Sequence, residues 1–131
     1  MKIYIIGSRR ESGRGKKWVE KAHEVGLECL HSAWVTVPPD GDHPLTDHER
    51  HDVAAFCFEC VRGADLVWWL LPSTPSFGAS VEWGIAMGLQ KPRVVSGDLK
   101  LTAFSEHCTA NFETDEMAFD WVVRRMLKCS R

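Results

Sequence analysis

Glu82 is the side chain in this sequence best placed to do chemistry. It follows the apolar run Leu66 to Leu71 by way of Pro72 and a loop of small and polar residues, Ser73, Thr74, Ser76, Gly78 and Ser80. Six apolar residues are too few for a helix core and suit a strand covered on both faces. Val81, Gly84, Ile85 and Gly88 then recur at helical spacing, which sets Glu82 in the first turn of a helix at the carboxyl end of that strand. In open α/β sheets ligands bind along that edge. Backbone N–H groups free at the helix start, with the macrodipole behind them, favour an anionic group nearby and keep a carboxylate ionised. On spacing alone, Glu82 is equally an ordinary first-turn acid. Gly84 and Gly88 read as small residues that let the helix lie close on the sheet.

A second cluster is cationic. Met1 to Ile6 is mostly apolar, a first buried strand ending at Gly7, and GSRRESGRGKK follows as a turn-rich loop carrying Arg9, Arg10, Arg14, Lys16 and Lys17. After the loop a helix puts Trp18, Ala22 and Val25 on one face and stops at Gly26. Five residues separate Gly7 from Gly13 where a P-loop needs four, and no GxGxxG occurs. A strand, a glycine-bearing loop and a helix start with several cations nonetheless suit a phosphate; the other reading is a solvated basic loop.

The run Ser76, Gly78, Glu82, Gly84 and Ala86 resembles the signature of the nucleoside 2-deoxyribosyltransferase family, closest to its 2'-deoxynucleoside 5'-monophosphate N-glycosidase branch. Tyr4, Gly7, Ser8, Arg9 and Arg10 resemble that family's first strand and loop. The resemblance implies that Glu82 is the nucleophile, that Tyr4 shares the catalytic site, and that Gly7, Ser8, Arg9, Arg10, Ser76, Gly78 and Ser80 hold the sugar and phosphate. It departs from the family at one place: the aspartate expected eight residues before Asp65 is Cys57 here. Asp52 and Glu59 border the apolar stripe of the same helix, and Asp52, nearer the ligand edge, is the candidate replacement carboxylate.

The chemistry implied is attack of the glutamate on the anomeric carbon as the nucleobase leaves, followed by resolution of the glycosyl ester by water or by another base. This needs no metal or redox cofactor. Ser76 bears on the substrate, because free-nucleoside transferases of the family typically have an aspartate there. A carboxylate would repel a 5'-phosphate, whereas a hydroxyl donates to it. The expected partner is thus a small-molecule nucleoside monophosphate. The alternatives are a deoxyribosyltransferase on free nucleosides and a nucleotide-binding protein without turnover. The resemblance also implies a homodimer or higher homo-oligomer.

Positioning these residues requires alternating strands and helices. Beyond those named, Cys29 to Val37 reads as a strand and PPDGDHPL as a loop. Thr46 and Glu49 form a capping box opening a helix with Val53, Phe56, Cys57, Cys60 and Val61 on its stripe. Lys91 to Ser96 reads as a strand, and Ser105 to Phe112 as a turn and short edge strand. Thr114 caps a last helix with Ala118, Phe119, Val122, Val123 and Met126 inward. The pattern predicts one α/β domain over residues 1–131, flavodoxin-like, with about five parallel strands between helices on both faces.

A formal net charge of −2 argues against nucleic-acid binding by bulk attraction. No apolar run approaches 18 residues and no signal-peptide pattern opens the chain, so neither a membrane nor export is expected. Five cysteines make an odd set without a disulfide framework, which fits a reducing, cytoplasmic setting. The lone CxxC of Cys57 and Cys60 falls on a helix stripe and reads as small buried hydrophobes rather than metal ligands.

Overall fold

The computed structural model of the chain describes residues 1–31, 46–74, 76–101 and 103–129. Along it run β1 (Lys2–Ile6), α1 (Ser12–Glu24), β2 (Glu28–His31), α2 (Asp47–Gly63), β3 (Leu66–Leu70), α3 (Phe77–Gly88), β4 (Arg93–Ser96), β5 (Ala110–Phe112) and α4 (Asp115–Cys129), with short 3-10 turns at Arg9–Glu11, Leu99–Leu101 and Ala103–Glu106. The strands form one sheet in the order β2-β1-β3-β4-β5, every pair parallel. This is the flavodoxin-like arrangement, whose strand order reverses between β1 and β3. No helix among the described residues is long and apolar enough to cross a membrane.

Strand alternation divides the core in two. Ile3, Ile5, Trp68 and Leu70 face one side and pack with Trp18 and Ala22 of α1 and with Ala118, Val122 and Met126 of α4. Tyr4, Ile6, Val67 and Trp69 face the other side, with Cys60 and Val61 of α2 and Ala79, Trp83 and Ala86 of α3. Trp68 and Trp69, adjacent in β3, are therefore both core residues. The first ring lies 5.5 Å from Trp18 and the second 5.3 Å from Trp83. Such coverage on both sides explains why β3 reads as uninterrupted apolar sequence.

Several expectations need correction. The basic stretch after β1 is largely helical: the Ser8 hydroxyl accepts from the Arg10 N–H, a 3-10 turn follows, and α1 starts at Ser12 rather than after Lys17. Glycine content made it read as coil, yet Gly15 is buried inside the helix. Val25 lies beyond the end of α1 and is exposed, as is Phe56 on α2. Gly84 and Gly88 do not touch the sheet; they are exposed, and a Cβ at either would meet nothing within 4 Å. The expected second strand is described only to His31, so its continuation to Val37, Trp34 and the PPDGDHPL loop lie outside the described residues.

Gly97, just after β4, has φ +120°, and a Cβ there would stand 3.0 Å from Leu71 Cβ and 3.2 Å from the Leu71 carbonyl oxygen. Gly97→Ala is expected to lower unfolding free energy by about 2 kcal/mol, read from urea denaturation. An unchanged midpoint would show that the turn relaxes at no cost.

Candidate functional site

β1 and α3 meet at the switch point of the sheet, and there the Tyr4 hydroxyl donates a hydrogen bond of 2.6 Å to Glu82 Oε2. The residues are 78 apart in sequence. Glu82 is only 3 % exposed. Burial, then the Glu82 carboxylate, then Cys57 push the Tyr4 phenol far above its ordinary value, so Tyr4 stays protonated and serves as a donor. The Cys57 side chain lies within hydrogen-bonding reach of the same phenol, so tyrosine, glutamate and thiol form one cluster.

Glu82 is the sixth residue of α3, whose first is Phe77, and so stands in the second turn rather than the first. The macrodipole fades within one turn, whereas the Tyr4 hydroxyl reaches the carboxylate directly. Serine and glycine made residues 76–80 look like loop, but Phe77 already begins the helix.

A cavity of about 220 Å³ opens beside the carboxylate, lined by Glu82, Gly78, Val81 and Ile85 of α3 and by Ala54, Cys57 and Phe58 of α2. Positions 78, 81, 82 and 85 recur at helical spacing and so share one side of α3. Among the described residues Glu82 is the only carboxylate lining this cavity. Cys57, at the position of the expected aspartate, faces it in a carboxylate's place.

The other candidate residues are distributed as follows. Gly7 and Ser8 are buried at the carboxyl end of β1, Arg9 is half-buried and Arg10 exposed, and none of the four lines the Glu82 cavity. Ser76 directly precedes α3, half-buried, and makes no side-chain cap. Ser80 is exposed, and its hydroxyl donates to the Ser76 carbonyl at 3.0 Å. It lines a different cavity of about 330 Å³ with Phe77, Trp83 and Phe104, which Glu82 does not line. Asp52 lies on the exposed side of α2, its carboxylate 3.4 Å from His48 Nε2, outside the Glu82 cavity. Glu59 pairs with Arg62 at 3.1 Å. Cys57 and Cys60 are both buried, and no cluster of three or more metal-ligating side chains occurs among the described residues.

Sequence reading missed a polar network on the opposite side of the same sheet edge. Asp115 receives two hydrogen bonds of 2.7 Å from the Arg14 guanidinium, one of 2.7 Å from Ser96 Oγ and one of 3.1 Å from Trp18 Nε1. Trp68 Nε1 in turn donates to Ser96 Oγ at 2.9 Å. Arg14 also donates to the Leu71 carbonyl at 2.6 Å and pairs with Glu11, whose carboxylate accepts from the Ser73 N–H at 3.2 Å. The network thus braces the connection between β3 and α3. Burial alone would raise the Asp115 carboxyl, but hydrogen bonds from Arg14 and Ser96 and the Arg14 charge outweigh it and hold the group below its ordinary value. Burial likewise disfavours the charged guanidinium, yet Asp115 reverses this and raises Arg14. Arg14, read as one of the loop's phosphate-seeking cations, is committed to structure instead. Asp115 stands in the first turn of α4, where helices favour acids in any case, so its sequence position alone does not reveal this distant partner.

No family model matches the sequence, and no curated protein does. Solved structures do match. A conserved protein from Enterococcus faecalis V583 is similar with a TM-score of 0.69 and 16% identity, covering 95% of this chain and 98% of that one. A 2-deoxyribosyltransferase from the psychrotolerant bacterium Bacillus psychrosaccharolyticus follows at 0.67 and 17%, covering 94% and 90%. The Clostridium botulinum CMP N-glycosidase BcmB aligns at 0.60 and 10%, covering 93% and 98%. Nearly the whole chain, from β1 to α4, therefore has the fold on which a 2-deoxyribosyltransferase and a CMP N-glycosidase are built.

Proposed function

We propose that this protein acts on the N-glycosidic bond of a nucleoside 5'-monophosphate, with Glu82 as the nucleophile. The observation that carries the proposal is the buried Glu82 carboxylate, held by the Tyr4 hydroxyl at 2.6 Å and facing a cavity at the β1/β3 switch point. Two proteins that share the fold, a 2-deoxyribosyltransferase and a CMP N-glycosidase, support nucleoside N-glycosidic chemistry as the class.

In this reading a Glu82 oxygen attacks the anomeric carbon as the base departs with the bonding pair, and water or a second base opens the resulting ester. Tyr4 remains protonated and keeps the carboxylate oriented. The cavity of about 220 Å³ is below the usual ligand-site range of roughly 300–1,000 Å³, which suits the sugar rather than a whole nucleotide. Ser76, a hydroxyl where an aspartate would repel phosphate, and Arg9 and Arg10 after β1 support a 5'-phosphate as the anchoring group.

The test is to incubate the protein with deoxynucleoside monophosphates and with deoxynucleosides and to follow base release by chromatography. Release from monophosphates is expected. Cleavage of nucleosides alone would overturn the substrate assignment. A second reading, nucleotide binding without turnover, is favoured by one observation: Cys57 rather than a second carboxylate lines the cavity with Glu82. Tight binding without base release, unaltered in Glu82→Ala, would decide for it.

A further inference from the structure

The second half of α4 gathers positive charge that no described carboxylate balances. Arg124, Arg125 and Lys128 stand with Trp121 at helical spacing, and the four line a cavity of about 310 Å³, a size that small-molecule sites have. Among the described residues none of the three cations pairs with an acid. Arg124 Nε donates to the Asp120 carbonyl at 3.2 Å, and the Arg125 guanidinium lies 5.1 Å from the centre of the Trp121 ring.

Helix stability does not account for this cluster. The macrodipole favours cations in the last turn, which holds only Lys128 of the three. Arg124 and Lys128, four residues apart, repel each other along the helix. Trp121 is half-buried and packs on Phe112 at 6.2 Å, which sets the cavity beside β5, the outermost strand of the sheet. This is the side of the sheet that α1 and α4 cover, across from the Glu82 cavity, and the two cavities share no lining residue.

We infer that this cavity binds a nucleoside polyphosphate, with its phosphate chain against Arg124, Arg125 and Lys128 and its base beside Trp121. Three cations match a chain of two or three phosphates, which a single phosphate would leave unbalanced. A guanidinium stacked on an indole can take a second flat ring on its other face while its edge still donates to phosphate oxygens. A nucleic-acid strand suits the site less. The three cations arise within about 6 Å along the helix axis, so they do not track successive phosphates. Asp120 lines the adjoining cavity across Arg124, Asp115 and Glu116 open the helix, and the whole chain carries a net charge of −2. The inference does not depend on the proposed reaction.

Isothermal titration calorimetry of the intact chain with tripolyphosphate and with ATP is the test. Both are expected to bind, more weakly as salt rises, with ATP about tenfold tighter through its base. The double variant Arg124→Gln, Lys128→Gln changes two exposed side chains and is expected to weaken both ligands about tenfold or more, with circular dichroism unchanged. Arg125→Lys keeps the charge and removes the flat face, so it is expected to retain tripolyphosphate and to lose most of the advantage of ATP. No saturable binding of either ligand, undiminished binding by the double variant, or equal affinity of the wild type for the two would overturn the inference. Tighter binding of a single-stranded oligonucleotide than of ATP would overturn it in favour of nucleic acid.

Discussion

Glu82→Gln is expected to reduce base release from a nucleoside monophosphate by on the order of 10⁴-fold or more, because the variant keeps the shape and removes the attacking oxygen. The glutamine carbonyl can still accept from the Tyr4 hydroxyl, so folding and ligand binding should survive. Tyr4→Phe is expected to be milder, about 10- to 100-fold, the scale of one hydrogen bond to a charged group. The order of the two effects separates nucleophile from orienting group. Single-turnover rates, with thermal melts as a check on folding, measure both. Equal activity of Glu82→Gln and wild type would remove Glu82 from the mechanism.

The second large effect concerns stability. Asp115→Ala is expected to cost about 3 kcal/mol, since it strips a largely buried guanidinium of its bidentate partner and leaves Ser96 Oγ and Trp18 Nε1 short of an acceptor. For a chain of this size that is a fall of roughly 10 °C in melting temperature. Its pH dependence has a definite sign. The Asp115 carboxyl is lowered on folding, so its contribution is fully present above the ordinary carboxylate value of 3.8 and is lost as pH falls through the lowered folded value. The gap in unfolding free energy between wild type and Asp115→Ala should hold steady from neutral pH down to about 4 and narrow below that. Urea denaturation across this range tests it. A gap that widens on acidification would mean that the Arg14 pair is not its source.

These two sites were legible in the sequence to different degrees, for a physical reason. β3 was readable almost to the residue because burial on both faces leaves no polar position to blur the run Leu66 to Leu71. The start of α2 was equally plain, as Thr46 and Glu49 satisfy each other's backbone N–H groups locally. Glu82 was found through its neighbours in sequence, though Phe77 starts the helix sooner than the serines and glycine suggest. What stayed hidden depends on distant partners. Nothing near Arg14 announces Asp115, 101 residues away, and without that partner a basic residue beside glycines looks like an anion seeker. The emptiness around Gly84 and Gly88 is likewise invisible until Ala79, Trp83 and Ala86 are seen to take the sheet-facing side.

The separation of Arg14 from Asp115 also bears on how the molecule is made. During synthesis α1, β3 and β4 leave the ribosome before the acid that unites them, so the guanidinium that reaches the Leu71 and Ser96 carbonyls in the fold gains its carboxylate partner only once α4 is made. A nascent chain that has not yet reached α4 holds every residue of the Glu82 cavity and still lacks Asp115, the acid that fixes Arg14 against the Leu71 carbonyl at the start of the stretch leading to Glu82.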